Sequence, residues 1–114
     1  NGPTGMWIAN GNIVGACDNG AVVVGLADGQ VKKMVPQVGG SDEIYLSDGN
    51  IYFFRAGAGM MGVIDATTYA FVANLPTASG DHSGAAFNGQ VFALVPNKGI
   101  QVFAVASAAP VQVP

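Results

Sequence analysis

The sequence predicts an all-β fold made of a repeated four-stranded antiparallel unit. Three observations predict it: a turn motif that recurs at nearly constant spacing, short runs of β-branched and aromatic residues between turns, and few charges. Of the 114 residues, 50% are hydrophobic and only 10% are charged, whereas a soluble domain usually carries about 25% charged residues. A chain of this composition can bury enough apolar surface to fold, and its length permits one small domain.

The recurring motif is Asn-Gly or Asp-Gly followed by an apolar strand. It occurs at Asn10-Gly11, Asp48-Gly49 and Asn88-Gly89. The three glycines lie 38 and 40 residues apart. Such dipeptides between apolar runs favour a type I′ hairpin turn, because both central residues must take a positive φ. Pro36 and Pro76 are also 40 residues apart, so the repeat extends beyond the turns.

Each repeat reads as four short strands rich in Val, Ile, Phe and Tyr, the residue types that suit a pleated, half-buried surface. The first strands are predicted at residues 6–9, 43–46 and 83–87, and the second strands at 13–17, 51–55 and 91–95. The third strands are predicted at 21–26, 61–64 and 100–105. Fourth strands are predicted at 31–35 and 69–75, and the third repeat is expected to stop before its fourth strand.

Four antiparallel strands in about 40 residues are typical of a β-propeller blade. The predicted blades are residues 6–42 and 43–82, with a partial third blade at 83–114. A β-solenoid is the main alternative, but its rungs are shorter, and a β-sandwich does not predict this period. Since propellers close with about four to eight blades, the chain is expected to form an incomplete propeller.

An incomplete propeller leaves two blade faces open, and apolar open faces drive association. The expected partners are therefore the remaining blades of the same propeller or other protein subunits, including a homo-oligomer. The abrupt start and the absent last strand favour a piece of a longer propeller.

Residues 62–69 (GVIDATTY) resemble the "vsviDt.t" segment of YVTN or YncE-like (NHL-like) β-propeller repeats. Residues 72–76 resemble the outer strand of that repeat, 80–86 its Gly/His segment before the next inner strand, and 88–96 its "dg..vyv" strand. The resemblance covers roughly residues 6–106 and implies about three blades. The family includes secreted binding proteins, surface-layer modules and proteins of unknown role. The first repeat departs from the pattern, because its acidic residue, Asp28, comes late and its spacing is short by two.

Four polar residues stand at matching repeat positions just before the innermost strands: Asp42, Glu43, Asp81 and His82. In a propeller this loop borders the central channel, where ligands usually bind, so these residues are the ligand-binding candidates. An alternative is a metal or acid–base site formed by Asp42, Glu43 and His82. The competing structural interpretation is turn hydrogen bonding, with His82 bracing neighbouring blades.

Other chemistry-bearing residues receive structural interpretations. Asp28 and Asp65 are expected to accept hydrogen bonds within turns. Cys17 is the only cysteine, so it forms no intrachain disulfide and is expected to be a buried, inert thiol. The aromatic residues are assigned to the packing between blades rather than to a ligand platform: Trp7, Phe53 and Phe54.

The sequence favours a non-enzymatic, exported propeller module that binds a partner or scaffolds an assembly, without a cofactor. The alternatives are a metal-dependent hydrolase of the lactonase type acting at the channel mouth, and a structural surface or matrix protein. A net charge of −3 with four basic residues argues against nucleic acid. No apolar run reaches the ~20 residues of a membrane span. Scarce Lys and abundant Gly, Ala, Val and Asn favour an extracellular or periplasmic protein.

Overall fold

The computed structural model describes residues 3–105 and 111–113, and these residues form three four-stranded antiparallel sheets. Blade 1 contains β1 (Gly5–Ala9), β2 (Asn12–Cys17), β3 (Gly20–Gly25) and β4 (Val31–Val35). Blade 2 contains β5 (Glu43–Ser47), β6 (Asn50–Arg55), β7 (Met60–Asp65) and β8 (Phe71–Pro76). Blade 3 contains β9 (Ser83–Phe87), β10 (Gln90–Val95), β11 (Gly99–Ala104) and β12 (Val111–Gln112). Single 3-10 turns at Pro36–Val38 and Ala56–Ala58 follow β4 and β6.

Strand order in every sheet follows the order along the chain. The first strands β1, β5 and β9 contact one another from blade to blade, so they are the innermost strands. These two features confirm the all-β fold with four-stranded blades, and they exclude the solenoid and sandwich alternatives. The exact blade boundaries given above remain predictions.

The hairpin turns between first and second strands have the conformation that the sequence predicts. Asn10 and Gly11 have φ of 49° and 79°, and Asn88 and Gly89 have φ of 52° and 77°. Both central residues are thus left-handed, as a type I′ turn requires. This turn matches the right-handed twist of its flanking strands, which fixes the register of each inner hairpin.

Two strand predictions are wrong. The third blade does have a fourth strand, since β12 pairs with β11 through Phe103↔Gln112 and Ala104↔Val111. The two-residue strand lies in a sequence segment between Pro110 and Pro114. Because proline cannot donate a ladder hydrogen bond, prolines so close together argue against a strand when only the sequence is considered. Tyr69 was assigned to the last strand of blade 2, but it has φ of 59° and closes the turn before β8.

The core consists of two clusters, each between neighbouring blades, and β6 supplies side chains to both. Ile51 and Phe53 point towards blade 1, whereas Tyr52 and Phe54 point towards blade 3. All four are fully buried, because successive residues of a strand face opposite sides of the sheet. The prediction that both faces of a blade pack on its neighbours is therefore confirmed for blade 2.

In the described part of the chain, no helix has the length and apolar character needed to cross a membrane.

Candidate functional site

The candidate residues lie in the two loops that lead from an outer strand to the next inner strand. Ser41 and Asp42 precede β5, and Asp81 and His82 precede β9 at the same repeat positions. The Asp42 backbone N–H donates to the Phe54 carbonyl at 2.9 Å, which fixes this loop to blade 2. Both loops lead directly into innermost strands, and the Asp42 and His82 side chains are exposed there.

Asp42 and His82 form a hydrogen-bonded pair across the junction of blades 2 and 3. Their Oδ2 and Nδ1 atoms are 3.0 Å apart, and the side chains are 46% and 66% exposed. An exposed pair of this kind contributes little to stability because solvent screens it. It leaves the other imidazole nitrogen and the other carboxylate oxygen available to a polar ligand.

Asp81 differs from its neighbour because its side chain is fully buried. Among the described residues, neither carboxylate oxygen has a partner in hydrogen-bond geometry, although the nearby Thr77 hydroxyl favours the charged form of Asp81. Removal from water raises the pKa of the Asp81 carboxyl above its ordinary value. Ser41, at the equivalent position of the preceding loop, is also buried with an unpartnered hydroxyl. Asp81 therefore faces the interior and not the channel.

Glu43 begins β5 and is exposed, and its side chain makes no hydrogen bond or ion pair with any described residue. Of the four candidates, the structure thus joins Asp42 to His82, buries Asp81 and leaves Glu43 apart. Within residues 3–105 and 111–113, no three His, Cys, Asp or Glu side chains cluster in an arrangement that could hold a metal ion. The geometry of the Asp42–His82 pair suits hydrogen bonding to a polar group.

Two polar side chains outside the candidate set bond to blade 1 or to the segment that links blades 1 and 2. The Tyr69 hydroxyl donates to the Ala9 carbonyl at 2.6 Å, reaching from blade 2 to blade 1. Arg55 donates through Nε to the Gly39 carbonyl at 2.7 Å and through Nη1 to Asn74 Oδ1 at 2.9 Å. The sequence does carry a signal for Arg55, which is a single Arg at the end of an apolar strand. A charge placed there needs hydrogen-bond acceptors close by.

The expected turn roles of two aspartates are confirmed. Asp65 Oδ1 accepts from the backbone N–H groups of Thr67 and Thr68 at 2.8 and 2.7 Å, and these bonds lower the pKa of Asp65. Asp28 Oδ1 accepts from the Gln30 N–H at 3.0 Å. These carboxylates cap turns and are not free for ligand binding.

The aromatic and cysteine assignments have mixed outcomes. Phe53 and Phe54 are buried between blades as expected. Trp7 stacks at an angle on Tyr45 across the first junction, with ring centroids 5.3 Å apart, but it stays 38% exposed. Cys17 is half-buried and free, and it ends a strand on the side of blade 1 that no other blade covers.

The outer blades each turn one face away from blade 2, and strand register identifies the side chains on it. We call these surfaces the free faces. The free face of blade 1 carries Met6, Ile8, Ile13, Val22, Val24 and Met34. The free face of blade 3 carries Ala85, Phe87, Phe92, Leu94, Ile100 and Val102. Both are apolar and contiguous, the surface type that marks an interaction site.

Comparison with known proteins supports the fold and does not identify a family. No protein-family model and no curated protein sequence matches the chain. Kuenenia stuttgartiensis hydrazine synthase superposes with a TM-score of 0.77 at 10% identity, covering 97% of this chain and 35% of that one. The WD40 repeats of RRP9 give 0.76 at 11% identity, covering 96% and 37%.

A third similar structure is the computationally designed Ika4 protein, with a TM-score of 0.74 at 13% identity, covering 97% of this chain and 71% of that one. WD40 repeats are propeller blades, so the likeness confirms a propeller-type arrangement. The chain spans only about a third of the first two proteins. The described residues form three blades of this arrangement.

Proposed function

We propose that the chain is an exported, non-enzymatic propeller module that binds or scaffolds protein partners through its two free faces. The observation that carries this proposal is the contrast in burial between blades. Side chains of blade 2 are covered on both faces, whereas Met6 and Ile8 of blade 1 are 69% and 58% exposed. On blade 3, Leu94 and Ile100 are 52% and 62% exposed.

The partners proposed for these faces are other propeller blades, from the same propeller or from other subunits. Along each strand of blades 1 and 3, side chains alternate between the covered face and the free face of the sheet. Both sets are apolar, so each free face offers the kind of surface on which a neighbouring blade packs. Burying apolar area is the main favourable term in association, and isolated apolar sheet faces of this extent are rare on monomeric proteins.

The resemblance to YVTN or YncE-like repeats supports an extracellular or periplasmic module, and we include both in the proposal. The channel mouth would then present Asp42, Glu43 and His82 to a polar ligand group. Asp81 is buried in the fold and would not be part of that surface.

The test is association measured by light scattering after size-exclusion chromatography at protein concentrations up to about 100 μM, where weak apolar contacts form. Wild-type chain is expected to associate, and Ile100→Lys should reduce the associated fraction. Ala70→Lys adds the same charge at an exposed position of blade 2 and should behave as wild type. A wild-type chain that stays monomeric throughout would contradict the proposal.

A further inference from the structure

We infer that the aromatic side chains of Trp7 and Tyr45, together with the carboxylate of Glu43, bind a small organic cation of the alkylammonium class. The inference deepens the ligand-binding part of the proposed function and rests on that part, but it involves neither free face. All three residues lie on innermost strands, Trp7 on β1 and the other two on β5.

The exposure of Trp7 does not come from an open blade face. Trp7 pairs with Val14 in the register of β1 and β2, and Val14 is fully buried in the cluster between blades 1 and 2. Residues directly opposite each other in an antiparallel pair point to the same side of the sheet, so Trp7 projects from the face that blade 2 covers. It stays 38% exposed with that neighbour in place, whereas Phe53, on the face of blade 2 that meets it, is fully buried.

Trp7 and Tyr45 form an aromatic stack across the junction of blades 1 and 2. Their ring centroids are 5.3 Å apart and the ring planes are inclined by 41°, within the range of favourable aromatic pairs. Tyr45 also packs against the core cluster between blades 2 and 3. Because each ring is held by a neighbour, the stack presents a fixed aromatic surface on the inner side of the blades.

A carboxylate stands beside this aromatic stack. Glu43 and Tyr45 are two residues apart on β5, so their side chains leave the strand on the same face about 7 Å apart. On β1, Gly5 stands two residues before Trp7, and a Cβ at Gly5 would lie 3.7 Å from the Glu43 Cα. The exposed Glu43 carboxylate has no ion-pair partner among the described residues, so it is within reach of a cation seated on the rings.

Gly5 leaves space between the Trp7 ring and Glu43. A Cβ at Gly5 would make only ordinary contacts of 3.6–3.8 Å, so the fold does not require a glycine there. Since a glycine carries no side chain, nothing from this position separates the ring from the carboxylate. A small cation can therefore contact both groups together.

The charges near the stack favour a cation over a neutral or anionic ligand. The chain has a net charge of −3, and Asp42 adds a second exposed carboxylate next to Glu43. A negative surface attracts cations, and the faces of aromatic rings attract them as well. The four basic side chains lie on the outer strand of blade 1, at the end of β6 and in the turn before β11: Lys32, Lys33, Arg55 and Lys98.

Arg55 is the basic residue closest to Glu43 in strand register, but it does not neutralise it. Glu43 pairs with Phe54, so the next residue, Arg55, points to the opposite face of the sheet. There its guanidinium donates to the Gly39 carbonyl and to Asn74 Oδ1. The Glu43 charge therefore stays available to a ligand.

An alkylated ammonium group suits this surface better than a metal ion. Organic cations bind within about 6 Å of an aromatic ring centroid, and alkyl groups on the nitrogen bury apolar area on the same rings. A hard metal ion instead needs several oxygen ligands. Within the part of the chain that the structure describes, no three His, Cys, Asp or Glu side chains are grouped to supply them.

Tryptophan fluorescence tests the inference, because Trp7 is the only tryptophan of the chain. Choline is the probe, and 3,3-dimethylbutanol, which has nearly the same shape without the charge, is the matched ligand control. At constant ionic strength, choline should change the Trp7 emission saturably with a Kd of about 1 mM, the scale of a few weak contacts. The neutral alcohol should bind at least about tenfold more weakly, because it lacks the attraction to the rings and to Glu43.

Three variants of the chain locate the site. Glu43→Gln should raise the choline Kd about fivefold, as expected for the loss of one exposed charge contact. Asp48→Asn is the matched control, because it removes the same charge at the opposite end of β5, and asparagine occupies the equivalent turn position of blades 1 and 3. It should leave the Kd unchanged. Gly5→Val should weaken binding by filling the space beside the ring.

The possible outcomes each decide a part of the inference. Saturable choline binding that Glu43→Gln weakens and Asp48→Asn does not weaken supports it. Equal affinity for choline and the alcohol would indicate an apolar site and overturn the cationic class of ligand. An unchanged Kd in Glu43→Gln would overturn the role of that carboxylate, and the absence of a saturable change would overturn the site.

Light scattering separates this inference from the proposal for the free faces. A chain that associates without binding choline would overturn the cation site alone. A chain that binds choline but stays monomeric up to about 100 μM, where weak apolar contacts form, would overturn the proposal for the free faces alone.

Discussion

Blade 2 and blade 3 have the same four-stranded architecture, but their second strands are buried differently. Along β6, four consecutive residues from Ile51 to Phe54 are fully buried. Along β10, Val91 and Ala93 are buried while Leu94 is exposed. The difference comes from the neighbours, since blade 2 has a blade on each side and blade 3 has one. A continuous apolar run along a strand of a blade therefore indicates that both faces of that blade are covered by neighbouring blades.

The largest effect is expected at the fully covered junction. Phe54→Ala should lower the free energy of unfolding by about 3–5 kcal/mol, because it empties a buried aromatic site. This loss should be the same at low and high protein concentration. Chemical denaturation followed by circular dichroism measures it.

Phe92→Ala provides the comparison, because Phe92 is also an aromatic residue of a second strand but lies on the free face of blade 3. Its effect should be small at low protein concentration and should grow as the concentration rises and the face becomes covered. Equal, concentration-independent losses for both variants would break the contrast between the two blades.

Two glycines, one on a covered face and one on a free face, sharpen the same contrast. Gly84→Ala places a Cβ against the Phe54 ring and the Phe92 carbonyl, so it should cost about 1–3 kcal/mol by overpacking. Gly15→Ala, on the free face of blade 1, meets only Val22 Cγ1, at 3.3 Å. Its effect on the melting temperature of the dilute chain should be much smaller, and a reversed order would contradict the assigned faces.

Asp81 should respond to pH because burial raises its pKa in the folded state. The folded chain therefore binds this proton more readily than the unfolded chain, so ionisation of Asp81 destabilises the fold as pH rises. Asp81→Asn should stabilise the chain by about 1 kcal/mol at pH 7, since it removes an unpartnered buried charge.

The gain from Asp81→Asn should shrink as pH falls through the raised pKa and vanish below the ordinary Asp value of 3.8. Thermal unfolding of both proteins across that window measures it. A destabilised Asp81→Asn at neutral pH would show that the carboxylate has a partner.

The smallest effect is expected at the exposed Asp42–His82 pair. His82→Ala should change the free energy of unfolding by less than about 1 kcal/mol, because screened surface pairs contribute little. Urea denaturation at pH 7 checks this. A larger loss would mean that the pair braces blades 2 and 3 more strongly than its exposure allows.

The fold could be predicted because its signals are local. Turns such as Asn10-Gly11 require a backbone conformation that few dipeptides adopt, and their spacing sets the blade period. The last strand was missed since two residues, Val111 and Gln112, are too few to show a period. Tyr69 was misplaced because its aromatic side chain suits a strand, whereas its hydroxyl contact with Ala9 holds it in a turn.

The candidate site was predicted only in part. Spacing placed Asp42 and His82 in equivalent loops, and adjacent blades bring them into contact. The same spacing could not show that the Asp81 side chain points into the fold, because the direction of side chains along a loop follows no fixed period. The sequence predicted that two apolar blade faces would be open. Which residues lie on those faces depends on the strand register.

Native mass spectrometry of the wild-type chain between about 1 and 100 μM, where weak apolar contacts form, tests the central claim most directly. The account predicts that particles of two or more chains become more abundant as the concentration rises. A single-chain particle across the whole range would contradict the claim that the free faces of blades 1 and 3 are interaction surfaces.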